Sequence, residues 1–191
     1  NSSIRIPVSC VEERRWHFGG FNHDPGALGE ELGSEMNCFS PEVRLSLRES
    51  VSESLSRKQG HSSDQGELWE EIKKEQDDLM VRSSTRAMKD TYESYRARLE
   101  EFKASLKYPG EAVGMVGVVD GEVVSFDLFD RESTCESFWE RLVSSYTLSR
   151  LKKRALALAG GLDEEFDLPD IEGFIETTRE ADWRAHQAVG E

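Results

Sequence analysis

The sequence predicts an α+β fold, with an antiparallel or mixed β-sheet whose central β-hairpin spans about residues 112–129 and is covered by amphipathic helices. The hairpin is predicted from an almost continuously apolar run that leads into Asp120-Gly121, a pair that favours the two-residue type I′ turn. The helices are predicted from apolar residues that recur every three or four positions. We expect one domain over residues 1–191, truncated at both ends, because the chain opens directly on a strand pattern and stops abruptly.

The composition disfavours some classes of binding partner. The 191 residues include 24 Lys and Arg against 38 Asp and Glu, which gives a formal charge of −14. Such a charge repels phosphate backbones and anionic lipids, so we expect neither nucleic acid nor a membrane as a partner. No apolar run approaches the roughly 20 residues that span a bilayer. The three cysteines are odd in number and widely spaced, which indicates reduced thiols in a cytoplasmic protein.

The N-terminal part predicts a strand followed by a long loop. Ile4, Ile6 and Val8 alternate with other residues in the period of a half-buried strand. Pro7 cannot donate to a β-ladder, so this strand is expected to be an edge strand or irregular. Residues 12–39 have no sustained period and predict a loop, and a loop of this length in a compact domain is usually functional or mobile.

Three helices are predicted next. Ser40-Pro41 marks the start of the first, which is expected to end near Lys58, with Ser40 as N-cap and proline at the first helical position. Asp64 begins the second, with the spacing of a capping box. The third carries an a/d seam that is too short for a dimeric coiled coil and is expected to pack in the core. The seam residues are Met88, Tyr92, Tyr95, Leu99, Phe102 and Leu106.

The hairpin strands differ in their two faces. The first strand is apolar on both sides, so we expect it to be central and covered on both faces. Its Gly114 and Gly117 permit close approach by a helix or a ligand. A long helix follows over residues 136–159, and Pro169 opens a last one. On the second strand, Val124, Phe126 and Leu128 should face one way, and Val123, Ser125 and Asp127 the other.

The end of the first strand is a candidate site. Glu12, Arg15 and Trp16 place a carboxylate, a guanidinium and an indole where the long loop begins. Arginine binds phosphate or carboxylate through two parallel hydrogen bonds, and tryptophan offers a stacking surface for a base. The alternative is a Glu–Arg ion pair with the indole covering the core.

Asp127 is the polar exception in an apolar strand. If its side of the hairpin is buried, it needs a partner, such as Arg15 or Arg44. If that side lines a cleft, Asp127 is a candidate acid or base, or an acceptor for ribose hydroxyls. Ser84 and Thr85 lie in a cluster with Ser83 that is most simply a helix cap, and the alternative is a phosphate site at that helix N-terminus.

Common catalytic and metal motifs are absent from the sequence. It contains no Gly-rich phosphate loop, no nucleophile elbow and no His-Glu-x-x-His motif. Cys10, His17, His23, Asp24 and Cys38 have the chemistry of metal ligands but no recognised spacing. We therefore expect no metal and no cofactor.

Several segments, taken in order, resemble a known family. They are Ile6-Pro7-Val8-Ser9-Cys10-Val11-Glu12 with Arg15-Trp16, then Arg44, Gln65, Trp69-Glu70-Glu71-Ile72, Ser83-Ser84-Thr85, Val113-Gly114, Val124-Ser125-Phe126-Asp127-Leu128-Phe129, Phe138-Trp139-Glu140-Arg141-Leu142 and Ser144-Ser145-Tyr146. Their order and spacing are similar to the ARG and rhodanese-phosphatase-superfamily-associated protein domain, a bacterial and archaeal family of uncharacterised function. Its name marks an association with ADP-ribosylglycohydrolases and phosphatase-like proteins. The resemblance therefore implies a role near ADP-ribose or NAD-derived metabolites, and it supplies no catalytic residues.

Two functional hypotheses follow, and they leave open whether the protein is an enzyme. In the first, the protein binds or processes an ADP-ribose-like metabolite: Arg15 and Arg44 neutralise its phosphates, Trp16 stacks on its base, and Glu12 and Asp127 meet ribose hydroxyls or act as acid and base. In the second, it is a non-catalytic scaffold or protein-interaction domain. An apolar helix face would then be the interface, and a homo-oligomer is one form that such an interface could take.

Overall fold

The computed structural model of the chain describes residues 38–160 and 167–183. Over these residues the fold is α+β, with six helices and one antiparallel two-stranded hairpin packed against helices. This confirms the predicted fold class. The strand expected at residues 4–8 and most of the loop expected at residues 12–39 lie outside the described residues.

The first two helices begin where their capping residues predict. Helix α1 spans Pro41–Ser56 with Ser40 as its N-cap residue, and α2 spans Gln65–Asp78. The side chain of Asp64 accepts hydrogen bonds from two backbone amides in the first turn of α2, which stabilises the helix end. Helix α1 ends two residues before Lys58, whose φ of 59° is left-handed and cannot continue a right-handed helix.

The third predicted helix is two helices, which corrects the expectation of one continuous seam. Helix α3 spans Met88–Ser94 and α4 spans Arg96–Ser105. The break falls at Tyr95, whose φ of −112° and ψ of 11° are not helical. The Tyr95 hydroxyl donates to the carbonyl of Leu79 at 2.8 Å, so a contact with the end of α2 holds the break in place.

The core forms two clusters. Leu79, Met88, Tyr92, Leu99 and Leu148 make the larger one, and Val43, Leu68 and Ile72 make the other. Four members of the predicted seam pack in or against the larger cluster, which confirms that the seam is intramolecular. Each fully buried aliphatic side chain contributes about 1.5–3 kcal/mol.

The hairpin has the predicted turn. Strand β1 spans Gly114–Val119 and β2 spans Glu122–Leu128. Asp120 and Gly121 have φ values of 52° and 78°, as a type I′ turn requires at both central positions. Within the described residues β1 pairs with β2 alone, and most of its residues are half-buried, so its central position stays a prediction.

The last two helices lie on opposite faces of the hairpin. Helix α5 spans Glu132–Gly160, starts four residues earlier than expected and packs against β1 and helices α1, α2 and α4. Helix α6 spans Ile171–Glu180, and its Phe174 ring meets the Phe126 ring of β2 edge-on, with 6.2 Å between centroids. Among the helices of the described ranges, none is long and apolar enough to cross a membrane.

Candidate functional site

Asp127 is the centre of a buried polar cluster. Its Oδ1 accepts from Arg44 Nη1 at 2.7 Å and from Arg48 Nη2 at 3.1 Å. Its Oδ2 accepts from the Tyr146 hydroxyl at 2.5 Å and from Ser125 Oγ at 3.1 Å. Asp127 is only 6% exposed, so these four donors replace the water that it loses on folding. We call these five residues the Asp127 cluster.

Three elements position the cluster. Arg44 and Arg48 are four residues apart on α1, which puts both guanidinium groups on one face of the helix. Ser125 and Asp127 are two residues apart on β2 and point to the same face of the hairpin. Tyr146 reaches this face from α5.

Gly117 allows the tyrosine to approach the hairpin. It pairs with Ser125 across the two strands. A Cβ atom at position 117 would lie 2.6 Å from Cε1 of the Tyr146 ring, closer than carbon atoms approach one another. The expected close approach of a helix at Gly117 is therefore confirmed, and the absent side chain lets the hydroxyl reach Asp127.

The cluster keeps Asp127 ionised. Burial alone raises the pKa of the Asp127 carboxyl, but hydrogen bonds from Arg44, Tyr146 and Arg48 outweigh burial and hold that pKa below its usual value. Burial raises the pKa of the Tyr146 phenol, and the neighbouring carboxylate raises it further. At neutral pH the cluster therefore consists of a carboxylate, two guanidinium groups and a neutral phenol.

Arg44 and Arg48 differ in the exposure of their side chains to solvent. The side chain of Arg44 is 12% exposed, and its Cζ lies 5.5 Å from the centroid of the Tyr146 ring, a cation–π distance. Its Nε is buried and has no hydrogen-bond partner among the described residues. The side chain of Arg48 is 58% exposed. Arg44 is therefore the internal counter-ion of Asp127, and Arg48 is the guanidinium that a ligand can reach.

The charges of Arg44 and Asp127 affect the pKa of a nearby thiol, that of Cys38. Burial raises the pKa of Cys38, whereas the charges of Arg44 and Arg141 partly offset this effect. Cys38 is therefore a neutral thiol and not a reactive thiolate at neutral pH.

Comparison with known proteins assigns the chain to a family. The model of ARPP-1, the ARG and Rhodanese-Phosphatase-superfamily-associated Protein domain, matches residues 1–191. The chain belongs to the ARPP-1 family. This confirms the resemblance seen in the sequence. No curated protein and no solved structure matches the chain.

The structure brings together two of the residues predicted for the ARPP-1 site. Arg44 and Asp127 form the buried ion pair that was one of the two alternatives for Asp127. Glu12, Arg15 and Trp16 lie outside the described residues, so their part in a site stays a prediction.

Ser84 and Thr85 lie in the connection between α2 and α3. Helix α3 has Ala87 as its N-cap residue and no side-chain cap, so the prediction that the serine–threonine cluster caps this helix is wrong. The nearest equivalent is Ser83 Oγ, which accepts from the Ala87 amide at 2.9 Å. Within the described ranges, neither Ser84 nor Thr85 forms a hydrogen bond with the cluster, and a ligand role for them stays a prediction.

Three members of the cluster were not predicted from the sequence. Arg48 had a signal, because it lies one helical turn after Arg44 on the same face. Ser125 had another, because strand alternation puts it beside Asp127. Tyr146 had only its place in the Ser144-Ser145-Tyr146 segment of the family resemblance, which does not indicate a contact with Asp127.

Most of the residues that were considered as metal ligands in the sequence lie outside the described ranges. Across residues 38–160 and 167–183, no three His, Cys, Asp or Glu side chains are grouped closely enough to bind a metal ion. Of the five ligand-type residues noted in the sequence, only Cys38 is described, and it is a free thiol.

Proposed function

We propose that this ARPP-1 chain binds a small phosphate-bearing metabolite of the ADP-ribose or NAD type at the guanidinium of Arg48. One observation carries the proposal: Arg48 Nη2 lies 3.1 Å from Asp127 Oδ1, while 58% of the side chain remains exposed. A guanidinium has five N–H donors in a fixed geometry. Asp127 uses one of them and orients the group, so the outward N–H groups are available to a phosphate oxygen.

The local charge supports an anionic ligand. Arg44 and Arg48 carry two positive charges against one negative charge on Asp127, which leaves one net positive charge at the cluster (2 − 1 = 1). In a chain of formal charge −14, such a site attracts a small anion, while the overall charge repels a polyanion. Arg15 and Trp16 would complete the site, the first on a second phosphate and the second on the base.

The same contacts favour binding over acid–base catalysis by Asp127. A general acid near neutral pH needs a raised pKa, whereas the pKa of Asp127 is lowered and both of its oxygens already accept two hydrogen bonds. Asp127 suits the role of a counter-ion that orients the two arginines. The free thiols of Cys38 and Cys135 support the cytoplasm as the compartment in this proposal.

Isothermal titration calorimetry with ADP-ribose, NAD and phosphate-free adenosine tests the proposal. Removal of one charge-assisted hydrogen bond costs about 1.5–3 kcal/mol. Arg48→Met should therefore weaken ADP-ribose binding about 10- to 100-fold, at about 1.4 kcal/mol for each factor of ten. Arg57→Met is the matched control, because Arg57 directly follows the same helix and its side chain is 67% exposed.

The expected pattern is binding of both phosphate-bearing ligands, none of adenosine, and a loss of affinity in Arg48→Met alone. Absence of binding by ADP-ribose and NAD would contradict the proposal. An equal loss in the two arginine variants would mean that the chain binds these ligands through its general charge and not at Arg48.

A protein-interaction domain is the second candidate, and the surface around α6 favours it. Ile175 is 41% exposed, and the flanking Leu168 and Trp183 are 88% and 72% exposed. Apolar surface in such quantity often marks an interface. Sedimentation velocity over a range of concentrations tests the homo-oligomeric form: Trp183→Ser should abolish self-association, and a chain that is monomeric throughout would exclude that form.

A further inference from the structure

A second buried polar cluster lies between α1, α2 and α5. Glu75, near the end of α2, is only 4% exposed. Glu42, in the first turn of α1, accepts a hydrogen bond at its Oε1 from Ser149 of α5 at 2.5 Å. The remaining oxygen atoms of the cluster are buried and lack a hydrogen-bond partner within the described part of the chain: Ser40 Oγ, Glu42 Oε2 and Glu75 Oε2.

Ser40 is a second residue of this cluster whose hydrogen-bonding capacity is not used. It is the N-cap residue of α1 and is 2% exposed, yet its hydroxyl does not accept from an amide of the helix as an N-cap serine usually does. No hydrogen bond joins this hydroxyl to Glu75 in the static geometry, but it lies close enough to act on the pKa of that carboxyl. Its proton and lone pairs therefore remain available to the carboxyl groups.

The surrounding charges do not stabilise a second carboxylate. Burial raises the pKa of Glu75, with Ser40 and Lys152 opposing this effect and the charges of Glu42 and Asp78 adding to it. Lys152 of α5 is already paired with Asp78 at 3.4 Å. From α3, Tyr92 faces Glu75, and burial raises the pKa of its phenol well above the usual value.

A proton on Glu75 removes the charge that burial of this carboxyl disfavours. The neutral carboxyl is a donor as well as an acceptor, and the Ser40 hydroxyl can rotate to donate to it.

We propose that Glu75 keeps its proton in the contact between α1, α2 and α5, and that its release loosens the packing of α1 on its neighbours. Release transfers the proton to water and leaves a buried carboxylate on Glu75 with a single neighbouring cation, Lys152, which is itself shared with Asp78. The contact is therefore sensitive to pH.

The proposal extends to the arginine site, and this part depends on the proposed function. Helix α1 carries Arg44 and Arg48, and α5 carries Tyr146 as well as Ser149. Movement of α1 on α5 after proton release would shift the arginines relative to Asp127. Binding of ADP-ribose should then weaken as the pH rises.

Urea unfolding of the full chain between about pH 4.5 and pH 8 tests the proton without any ligand. The sign follows from linkage: the pKa of Glu75 is higher in the folded chain than in the unfolded chain, so stability falls as the pH rises between these two pKa values. The ratio of unfolding constants, wild type to Glu75→Gln, should rise up to about tenfold per pH unit and level off above the folded pKa. Glu70→Gln, an exposed carboxyl on α2, is the control and should follow the wild type.

An infrared measurement identifies the proton directly. As the pH rises through the range in which exposed carboxyl groups ionise, the wild type should keep a protonated-carboxyl band that is absent from Glu75→Gln. Parallel stability curves for wild type and Glu75→Gln, or identical infrared bands, would overturn the proposal.

A binding arm separates the two proposals. If ADP-ribose binds, its dissociation constant should rise with pH in the wild type and stay level in Glu75→Gln. A pH-dependent stability without ADP-ribose binding would support the proton on Glu75 and contradict the proposed function. Binding with the same pH dependence in both proteins would refute the link between the two sites.

Discussion

Arg44 and Arg48 contact the same carboxylate oxygen but should contribute very differently to stability. Replacement of Arg44 by Met leaves Asp127, which is 6% exposed, without its buried counter-ion. Breaking a buried ion pair from one side costs about 3–5 kcal/mol, and the remaining contacts to Arg48, Tyr146 and Ser125 put the expected cost near 3 kcal/mol. The Arg48 side chain is 58% exposed, and an ion pair in solvent is worth about 0–1 kcal/mol.

Urea unfolding of Arg44→Met and Arg48→Met, followed by circular dichroism at pH 7, measures this difference. A loss of about 3 kcal/mol is a large part of the 5–15 kcal/mol by which a typical domain is stable, so the Arg44 effect should be unmistakable. Equal losses in the two variants, or a larger loss for Arg48→Met, would refute the assignment of Arg44 as the internal counter-ion. The double variant Arg44→Met, Asp127→Leu should lose less free energy of unfolding than the sum of its two single variants, because no buried charge is then left without a partner.

Two further predictions concern the same cluster. Gly117→Ala should lower the free energy of unfolding by about 1–3 kcal/mol, because the added methyl group collides with the Tyr146 ring; the same change in a Tyr146→Ala background should cost much less, and equal costs would contradict the collision. Asp127 has a lowered pKa in the folded chain, so its contribution is present above about pH 4 and is lost as the pH falls through its folded pKa. Acid unfolding should therefore be steeper below about pH 4 in the wild type than in Asp127→Asn, and parallel curves would show that Asp127 does not carry this contribution.

Local chemistry made much of the fold predictable. The two-residue turn at Asp120-Gly121 requires a positive φ at both positions. Only a few residue pairs, such as Asp-Gly, adopt that conformation readily. The Asp64 carboxylate caps α2 because its side chain reaches the free amides of the first turn, a contact that depends only on neighbouring residues. The apolar seam that begins at Met88 predicts a buried helix face, because helical spacing alone places its residues on one side of the helix.

The remaining features depend on contacts between residues far apart in the sequence. The helix break falls at Tyr95, whose hydroxyl donates to the carbonyl of Leu79, and the seam pattern encodes neither feature. The buried side chains of Ser145 and Ser149 pair with Phe39 and Glu42, more than 100 residues away. Sequence periodicity reports which residues share a face, but it does not report which polar group lies opposite.

The candidate site was predictable only as a pair of alternatives. Strand alternation identified Asp127 as a residue that needs a partner or lines a cleft, and the structure shows the partner, Arg44. Tyr146 contacts Asp127 because Gly117 leaves room for its ring. Gly117 lies on β1 and Tyr146 on α5, and the sequence does not show that these two elements pack together. The single-domain boundary and the roles of Glu12, Arg15 and Trp16 remain predictions.

Nuclear magnetic resonance of arginine side chains tests the proposed function most directly. In a chain with ¹⁵N-labelled arginine, the Nε–H signal of Arg48 is identified by its absence from Arg48→Met, and ADP-ribose is then titrated. Binding of the phosphate at Arg48 should produce a saturable shift of the Arg48 signal at the calorimetric dissociation constant, with the Arg57 signal unchanged. An Arg48 signal that stays constant while ADP-ribose binds, or no binding at all, would contradict it.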